Sequence, residues 1–185
     1  YLLASFRYSK KLKGENKYLY VYWITSRKEV NMSIVFTRVE ERLLHGQVIT
    51  AWAKSINFDT FVVVDDESAS NDILKSLLEM ACPKGKKLYV FDEKTAVDKI
   101  NAIKGKIFLI VKSPTTILSL LNNGLIIDSV NIGSIHYKPD KKEIYKTVYL
   151  SEEEVNALKE ITDRGITCEI QKLPTESKKN ILSLL

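Results

Sequence analysis

From residue 32 onward, short apolar runs alternate with longer segments whose apolar residues recur every three or four positions. The short runs are rich in valine and isoleucine, as is typical of strands buried on both faces of a sheet. They predict strands at residues 33–36, 61–64, 87–91, 106–111, 127–131, 146–150 and 167–171. The intervening segments predict helices that begin at residue 46 and others at 70–81, 93–103, 114–123, 152–164 and 176–184. This alternation predicts an α/β fold, with a single open, mostly parallel twisted sheet flanked by helices on both faces.

Ligands of such sheets bind beyond the carboxyl ends of the strands. Four polar or flexible segments follow predicted strands at that edge. They are the charged stretch 37–48, the pair Asp65-Asp66, Ser113, and the Gly133-Ser134 turn with His136 behind it. We expect them to surround one crevice. Simpler roles are open for three of these residues: Asp66 and Ser113 suit the caps of the helices that follow them, and His136 suits a structural hydrogen bond in its loop.

The charge distribution argues against a nucleic-acid-binding domain. The formal net charge is +5, but residues 1–31 hold seven Lys/Arg and two Asp/Glu, whereas residues 32–185 hold 21 of each. The second part therefore lacks the basic surface that nucleic acid requires. Cys82 and Cys168 are far apart and show no metal-ligand spacing, so they are predicted to be reduced structural thiols. The sequence has neither GxGxxG nor GxxxxGK[ST], which gives no support to nucleotide binding.

Residues 1–31 differ in composition and periodicity from the rest of the chain. They contain five of the nine tyrosines and show no clear periodicity, and they lack the apolar core of a signal peptide. Codons for Lys28-Glu29-Val30 can spell a bacterial ribosome-binding sequence just before Met32. We expect residues 1–31 to be a basic, poorly ordered leader that is translated upstream sequence, and residues 32–185 to be one domain. A basic aromatic arm that touches a membrane surface is the alternative.

The stretch TRVEERLLHGQV at residues 37–48 contains one of the two histidines of the chain. His45 lies where a predicted helix begins, and unpaired N–H groups at such an end favour an anion. Arg38 and Arg42 precede it, and a guanidinium matches phosphate oxygens in charge and geometry. Gly46 lets a ligand approach the backbone closely. These residues suit a phosphoryl group on or beside the imidazole, although they also fit a solvated turn whose charges pair with one another.

The same stretch resembles the active-site loop of the enzyme IIB components of the mannose/fructose/sorbose family of bacterial phosphoenolpyruvate-dependent sugar phosphotransferase systems. That family shows Arg-x-Asp-x-Arg-Leu-x-His-Gly-Gln-Val at this place. The resemblance continues through VVVDDESASNDILKSLLEMACP and VNIGSIHYKPDKKEIYKTVYLSEEEVNALKEITDRGITCEIQKLP, and it covers essentially all of residues 32–180.

The resemblance implies that His45 accepts a phosphoryl group from the phosphohistidine of enzyme IIA and passes it to a sugar. The sugar enters through the membrane components IIC and IID, so the protein would be cytoplasmic and peripherally associated with that permease. Arg38, Arg42, Gly46 and Gln47 would form the phosphate site. No metal or nucleotide would be needed. The family also implies that the Nδ1 atom of the histidine carries the phosphate. The sequence leaves the sugar open, as well as the oligomeric state, for which a homodimer is one option.

The chain departs from the family pattern at Glu40, where the family has aspartate, and at Asp65, where the family commonly has asparagine. Glu40 keeps the charge with one more methylene, which makes its place in the loop a question for the structure. The other candidates assigned to support the site are Asp66, Ser113, Gly133, Ser134 and His136. A second hypothesis is a non-catalytic regulatory protein that is phosphorylated or binds an anion but transfers nothing to sugar.

Overall fold

The computed structural model describes residues 32–46 and 48–185. Within these ranges, seven strands form one open sheet in the order β3-β2-β4-β1-β5-β8-β9. The strands are β1 (Met32–Val39), β2 (Thr60–Val64), β3 (Lys87–Phe91), β4 (Gly105–Val111), β5 (Ser129–Ile132), β8 (Thr167–Ile170) and β9 (Lys179–Asn180). Every pair is parallel except β8 and β9. A separate antiparallel pair is formed by β6 (Lys142–Tyr145) and β7 (Val148–Leu150). The predicted open, mostly parallel α/β sheet is confirmed.

Six helices connect these strands in the described part of the chain. Helix α1 combines a π-helical turn at Val48–Trp52 with an α-helical turn at Ala53–Ser55. The others are α2 (Asp66–Ser70), α3 (Asp72–Ala81), α4 (Glu93–Asn101), α5 (Pro114–Asn122) and α6 (Glu152–Asp163). None of the helices in the described ranges combines the length and the hydropathy that crossing a lipid bilayer demands.

The helices cover both faces of the sheet because neighbouring strand residues point to opposite sides. In β2, Val62 and Val64 belong to one buried apolar cluster, which α4, α5 and α6 complete. Phe61 and Val63 belong to a second cluster, which α1 and α3 complete. Residues 61–64 of β2 and 107–111 of β4 are therefore continuously apolar, as expected for strands buried on both faces.

The structure corrects three predicted elements. The helix predicted at residues 70–81 is present but begins at Asp72, because the Asn71 side chain caps it by accepting hydrogen bonds from the N–H groups of Ile73 and Leu74. The strand predicted at 146–150 pairs with β6 outside the main sheet. The helix predicted at 176–184 is wrong: residues Lys179–Asn180 add an antiparallel edge strand, and a 3-10 turn at Ile181–Ser183 follows. Side-chain capping and edge pairing outweighed helical periodicity in these short segments.

The chain leaves the neighbouring strands β1 and β5 in opposite directions across the sheet. After β1 the chain passes to β2, and after β5 it passes to β8 on the other side of β1. The carboxyl ends of β1 and β5 therefore border a topological switch point, where open α/β sheets form their ligand crevice. The predicted leader at residues 1–31 lies outside the described residues.

Candidate active site

A fully buried ion pair lies beneath the crevice. Arg38, near the end of β1, and Glu40, directly after that strand, are each 1% exposed. The Arg38 guanidinium donates a hydrogen bond to Glu40 Oε2 across 2.7 Å. Burial lowers the pKa of Arg38 from its ordinary value, and the Glu40 carboxylate partly offsets that effect by favouring the charged form. A charge so buried is tolerated only with close partners, so this pair fixes the end of β1.

The remaining contacts of Arg38 come from the neighbouring strand β5, from the segment after β8 and from helix α1. Its guanidinium donates to the side-chain oxygen of Asn131 on β5, to the Gln171 carbonyl at 3.0 Å and to the Lys172 carbonyl at 3.4 Å. The Trp52 ring lies 5.0 Å from the guanidinium carbon, and its indole N–H donates to the Lys172 carbonyl at 2.9 Å. Arg38 thus joins β1 to β5 and to the segment after β8.

Gly133, at the end of β5, leaves room for this pair. A Cβ atom at this position would come within 3.0 Å of the Arg38 guanidinium and the Glu40 carboxylate. The next residue, Ser134, donates its backbone N–H to Glu40 Oε2 at 3.3 Å and accepts a hydrogen bond from the Glu41 N–H at 3.0 Å. The predicted meeting of the charged stretch with the Gly133-Ser134 turn is observed, and a buried ion pair joins them.

His45 is half-buried on the loop between β1 and α1. Its Nδ1 lies 3.0 Å from the Leu43 carbonyl oxygen. Because a carbonyl can only accept, this contact places a ring hydrogen on Nδ1, so that in a neutral imidazole the lone pair is on Nε2. Leu43 is 3% exposed and has a φ of +52°, a conformation that bulky side chains rarely adopt. Local strain in the backbone therefore presents the carbonyl that holds the ring.

Helix α1 begins at Val48, and the His45 carbonyl accepts a hydrogen bond from the Ile49 N–H in its first turn at 3.0 Å. The helix begins with a π-helical turn, an uncommon form that concentrates at functional sites. Among the described residues, no atom outside the local backbone comes within 4 Å of a Cβ placed on Gly46, so these residues leave the space beside it open. Gln47 lies outside the described residues, and its predicted contact with phosphate stays a prediction.

Arg42 is exposed, in contrast to Arg38. Within the described ranges its guanidinium forms no hydrogen bond or ion pair. It borders a groove of about 280 Å³ between the His45 loop and helix α3. The two predicted phosphate-binding arginines therefore differ in state: Arg38 is buried and hydrogen-bonded through both terminal nitrogens of its guanidinium, and Arg42 has its charge available at the surface.

Glu41 ties the His45 loop to the loop after β5. Its Oε2 accepts hydrogen bonds from the His136 backbone N–H at 2.6 Å and from His136 Nδ1 at 2.8 Å. Lys138 Nζ lies 3.1 Å from its other oxygen. Burial alone would raise the pKa of Glu41, but the hydrogen bonds from His136 and Lys138 outweigh it and lower the pKa to about 2. The structural hydrogen bond predicted for His136 is present, and it places this histidine at the rim of the crevice.

The acidic pair after β2 has a different arrangement from the predicted one. The cap of helix α2 is Asp65, whose carboxylate accepts from the Ser68 N–H at 2.9 Å and lies 3.0 Å from Lys112 Nζ. The prediction that Asp66 caps this helix is wrong, because Asp66 is already its first residue and its carboxylate accepts from the Glu93 N–H at 2.7 Å. That contact holds the amino terminus of α4 against the turn after β2.

Ser113 caps helix α5, as predicted, by accepting from the Thr115 N–H at 3.1 Å. Its hydroxyl also contacts Glu154, the capping-box residue of α6, which pairs with Lys141 at 2.9 Å. Among the described residues, neither Ser113 nor Asp66 contacts His45. Their predicted supporting roles at the site stay predictions.

No group of three or more His, Cys, Asp and Glu side chains that could hold a metal ion occurs in the described ranges. The groups that the structure brings to the crevice are the His45 imidazole, cationic side chains with their carboxylate partners, and backbone N–H groups. This set is suited to a phosphoryl group.

Sequence reasoning missed two residues that organise the site. Asn131 is 6% exposed, and its polar side chain interrupts the otherwise apolar strand β5, a signal that could have indicated a buried partner. Leu43 carried no signal, because no property of leucine indicates a left-handed backbone.

Comparison with known proteins identifies the family to which the chain belongs. A model of the PTS system sorbose subfamily IIB component family matches residues 34–185. The sorbose-specific EIIB component of Lacticaseibacillus casei is 33% identical over 155 residues, which cover 82% of this chain and 94% of that protein. The mannose-specific EIIAB component of Escherichia coli K12 is 32% identical over 157 residues, which cover 83% of this chain and 49% of that longer protein.

Two solved structures have the same fold. The IIBSor domain of the sorbose permease from Klebsiella pneumoniae superposes with a TM-score of 0.78 at 28% identity, covering 82% of this chain and 95% of that one. The N-acetylgalactosamine-specific IIB component 1 from Escherichia coli gives a TM-score of 0.77 at 32% identity, covering 80% and 99%. The chain therefore belongs to the sorbose subfamily of IIB components of the sugar phosphotransferase system, and it is a phosphotransferase.

Proposed function

We propose that His45 is the residue through which the protein carries phosphoryl from the phosphohistidine of enzyme IIA to a sugar. In the first step the phosphorus–nitrogen bond of the donor breaks, and one forms between phosphorus and the imidazole of His45. In the second step a sugar hydroxyl attacks that phosphorus. His45 regains its lone pair as the new phosphorus–oxygen bond forms, and the hydroxyl proton leaves to solvent. The sugar is supplied by membrane components IIC and IID.

The observation that carries this proposal is the position of His45. It lies at the switch-point crevice, half-buried, at the start of a helix and on a loop anchored from below by the Arg38–Glu40 pair. A residue that accepts and passes on a phosphoryl group must be accessible to two partners in turn, and its position must be fixed for both. An imidazole near the surface on an anchored loop meets both requirements.

We assign the two arginines different tasks. Arg42 is exposed and has a free guanidinium among the described residues, so it can bind the phosphoryl oxygens as the group transfers. Arg38 is enclosed by Glu40, Asn131 and two carbonyls, and a direct contact with phosphate would require it to leave them. Its proposed task is to position the loop and to add positive potential beneath the crevice.

The ring orientation bears on which nitrogen reacts. The family implies Nδ1, but the Leu43 carbonyl lies 3.0 Å from that atom. Attack by Nδ1 therefore requires the imidazole to rotate away from this carbonyl before transfer. In the orientation described, Nε2 has the free lone pair. Two-dimensional NMR of the ¹⁵N-labelled phosphoprotein identifies the nitrogen that carries phosphorus.

The proposed partners follow from the same chemistry. The Escherichia coli relative, a mannose-specific EIIAB component, supports a IIA donor, because its name indicates that the IIA and IIB components are joined in one chain. We propose that the protein acts at the cytoplasmic side of the membrane beside IIC and IID, without a resident metal or nucleotide.

The test uses ³²P-labelled IIA encoded with this chain. Wild-type protein is expected to take up label that is lost in acid and retained in base, and to release it to sugar when membranes containing IIC and IID are added. His45→Ala is expected to take up none. Label on His45→Ala would overturn the assignment of the residue. Labelled wild-type protein that never passes phosphoryl to sugar would favour the regulatory alternative.

A further inference from the structure

Helix α3 carries more apolar surface than the core of the protein covers. Its residue Leu78 is 8% exposed and belongs to the cluster beneath the sheet. Ile73, Leu77 and Met80 lie on a neighbouring face and are 73%, 56% and 83% exposed. Residues spaced by three or four positions adjoin on a helix, so these three side chains form one stripe. A contiguous exposed apolar patch of this kind marks an interaction surface.

The stripe, Ile73–Leu77–Met80, is continuous with the loop that carries His45. Leu77 lines the 280 Å³ groove described above, as does Arg42 from the loop. The other lining residues come from the same two segments and from the turn after β2: Glu41, Leu43, Leu44, Glu67, Ser68, Leu74, Leu78 and Lys112. A protein seated on the stripe would therefore also contact the residues just before His45.

We propose that the stripe of helix α3 is the surface on which the phosphoryl donor, enzyme IIA, docks. This inference rests on the proposed function and adds the place and the chemistry of the contact. The partner must present an apolar patch next to its phosphohistidine, so that the patch covers Leu77 while the phosphoryl group approaches Arg42. A small apolar centre bordered by charged residues, here Arg42, Glu67 and Lys112 of the adjoining groove, is typical of complexes that form and separate quickly.

The occupant is a donor and not a second copy of the chain, because of the groove. A second copy held on the stripe would cover the groove beside the His45 loop and exclude the donor during every cycle. A donor that binds, transfers phosphoryl and leaves uses the same surface only for the duration of transfer. The charge at the groove also favours the donor. Arg42, which forms no ion pair among the described residues, can attract a partner that brings the negative charge of a phosphoryl group.

The test measures phosphoryl transfer from ³²P-labelled IIA to Leu77→Glu and Leu77→Lys. Covering the exposed part of a leucine side chain corresponds to about a tenfold change in affinity. Both variants are expected to raise the KM for phosphorylated IIA at least tenfold with kcat nearly unchanged, because an apolar contact is lost with either charge. Ile126→Glu is the matched control: Ile126 is 54% exposed and lies before the amino end of β5, away from the carboxyl ends of the strands that border the groove.

Chemical phosphorylation with phosphoramidate separates docking from chemistry. In that reaction the phosphorus–nitrogen bond of the reagent breaks, ammonia leaves, and no protein donor is needed. The Leu77 variants are expected to label at the wild-type rate. An unchanged KM, an equal effect of Ile126→Glu, or slower phosphoramidate labelling would overturn the docking proposal. So would a wild-type dimer in light scattering that Leu77→Glu converts to monomer. Wild-type protein that phosphoramidate labels but phosphorylated IIA does not would overturn the proposed function itself.

Discussion

Replacing Glu40 by glutamine removes the negative charge from the buried pair while keeping the size of the side chain. The Arg38 guanidinium would remain enclosed, since it and Glu40 are each 1% exposed. Removing one partner of a buried ion pair costs about 3–5 kcal/mol, because the other charge is left without compensation. Arg38 keeps its hydrogen bonds to Asn131 and the Gln171 carbonyl, and the glutamine oxygen can still accept. We therefore expect the lower end of the range, about 3 kcal/mol.

Urea unfolding of the wild type and the variant measures this loss as a change in midpoint at constant slope. Two comparators identify its cause. Glu40→Asp keeps the charge and shortens the side chain by one methylene, so a loss of about 1 kcal/mol is expected. The double change Arg38→Met and Glu40→Met leaves no charge buried and should cost less than Glu40→Gln alone. A loss below about 1 kcal/mol for Glu40→Gln, the value of an exposed pair, would refute the reasoning.

Three further predictions concern the packing, the pH dependence and the thiols. Gly133→Ala should destabilise the fold by about 1–3 kcal/mol in urea unfolding, because its Cβ would overlap the buried ion pair; Gly46→Ala, with open space beside it, is the control, and equal losses would contradict this explanation. The pKa of Glu41 is about 2 in the folded protein and 4.5 in its ordinary state, so its contribution to stability is complete above about pH 5 and is lost as the pH falls toward 2. Glu41→Gln should reduce the change of the urea midpoint with pH across that interval. An unchanged pH dependence would exclude Glu41 as the cause of the loss of stability. Burial raises the pKa of the Cys168 thiol to about 12 and also raises that of Cys82, which is only half-buried. Iodoacetamide should therefore modify Cys82 first in the native protein, a site that peptide mapping identifies, and prior modification of Cys168 would count against the described burial.

The location of the site was predictable from the sequence. Strand and helix alternate along the chain, and the residues whose side chains could take part in binding or catalysis follow strands. The carboxyl edge of the sheet was therefore the expected place for the site. The helix beginning after His45 and the turn at Gly133 were expected there as well, and both occur there. Sequence spacing could not show that Glu41 binds His136, because the two are joined only when β1 and β5 become neighbours.

The difference in burial between Arg38 and Arg42 could not be predicted from the neighbouring sequence alone. Both are arginines in one loop sequence, and both match the family pattern. Their environments differ because Arg38 still belongs to β1, whose register places it opposite Asn131, whereas Arg42 lies in the turn beyond the strand. A strand residue at that register points into the protein and must find partners there, while a turn residue remains in water.

By itself, the sequence determined the architecture, and it predicted the edge of the sheet and the histidine of the candidate site. These properties follow from the periodicity of apolar residues and from motifs of a few neighbouring positions, which act within one strand or one turn. Only the tertiary structure decided that Glu40 neutralises Arg38, that Gly133 must lack a side chain, and that helix α3 keeps an apolar stripe uncovered. Each of these depends on atoms contributed by segments that are distant in sequence, and their distances and burial are set only when the sheet is assembled.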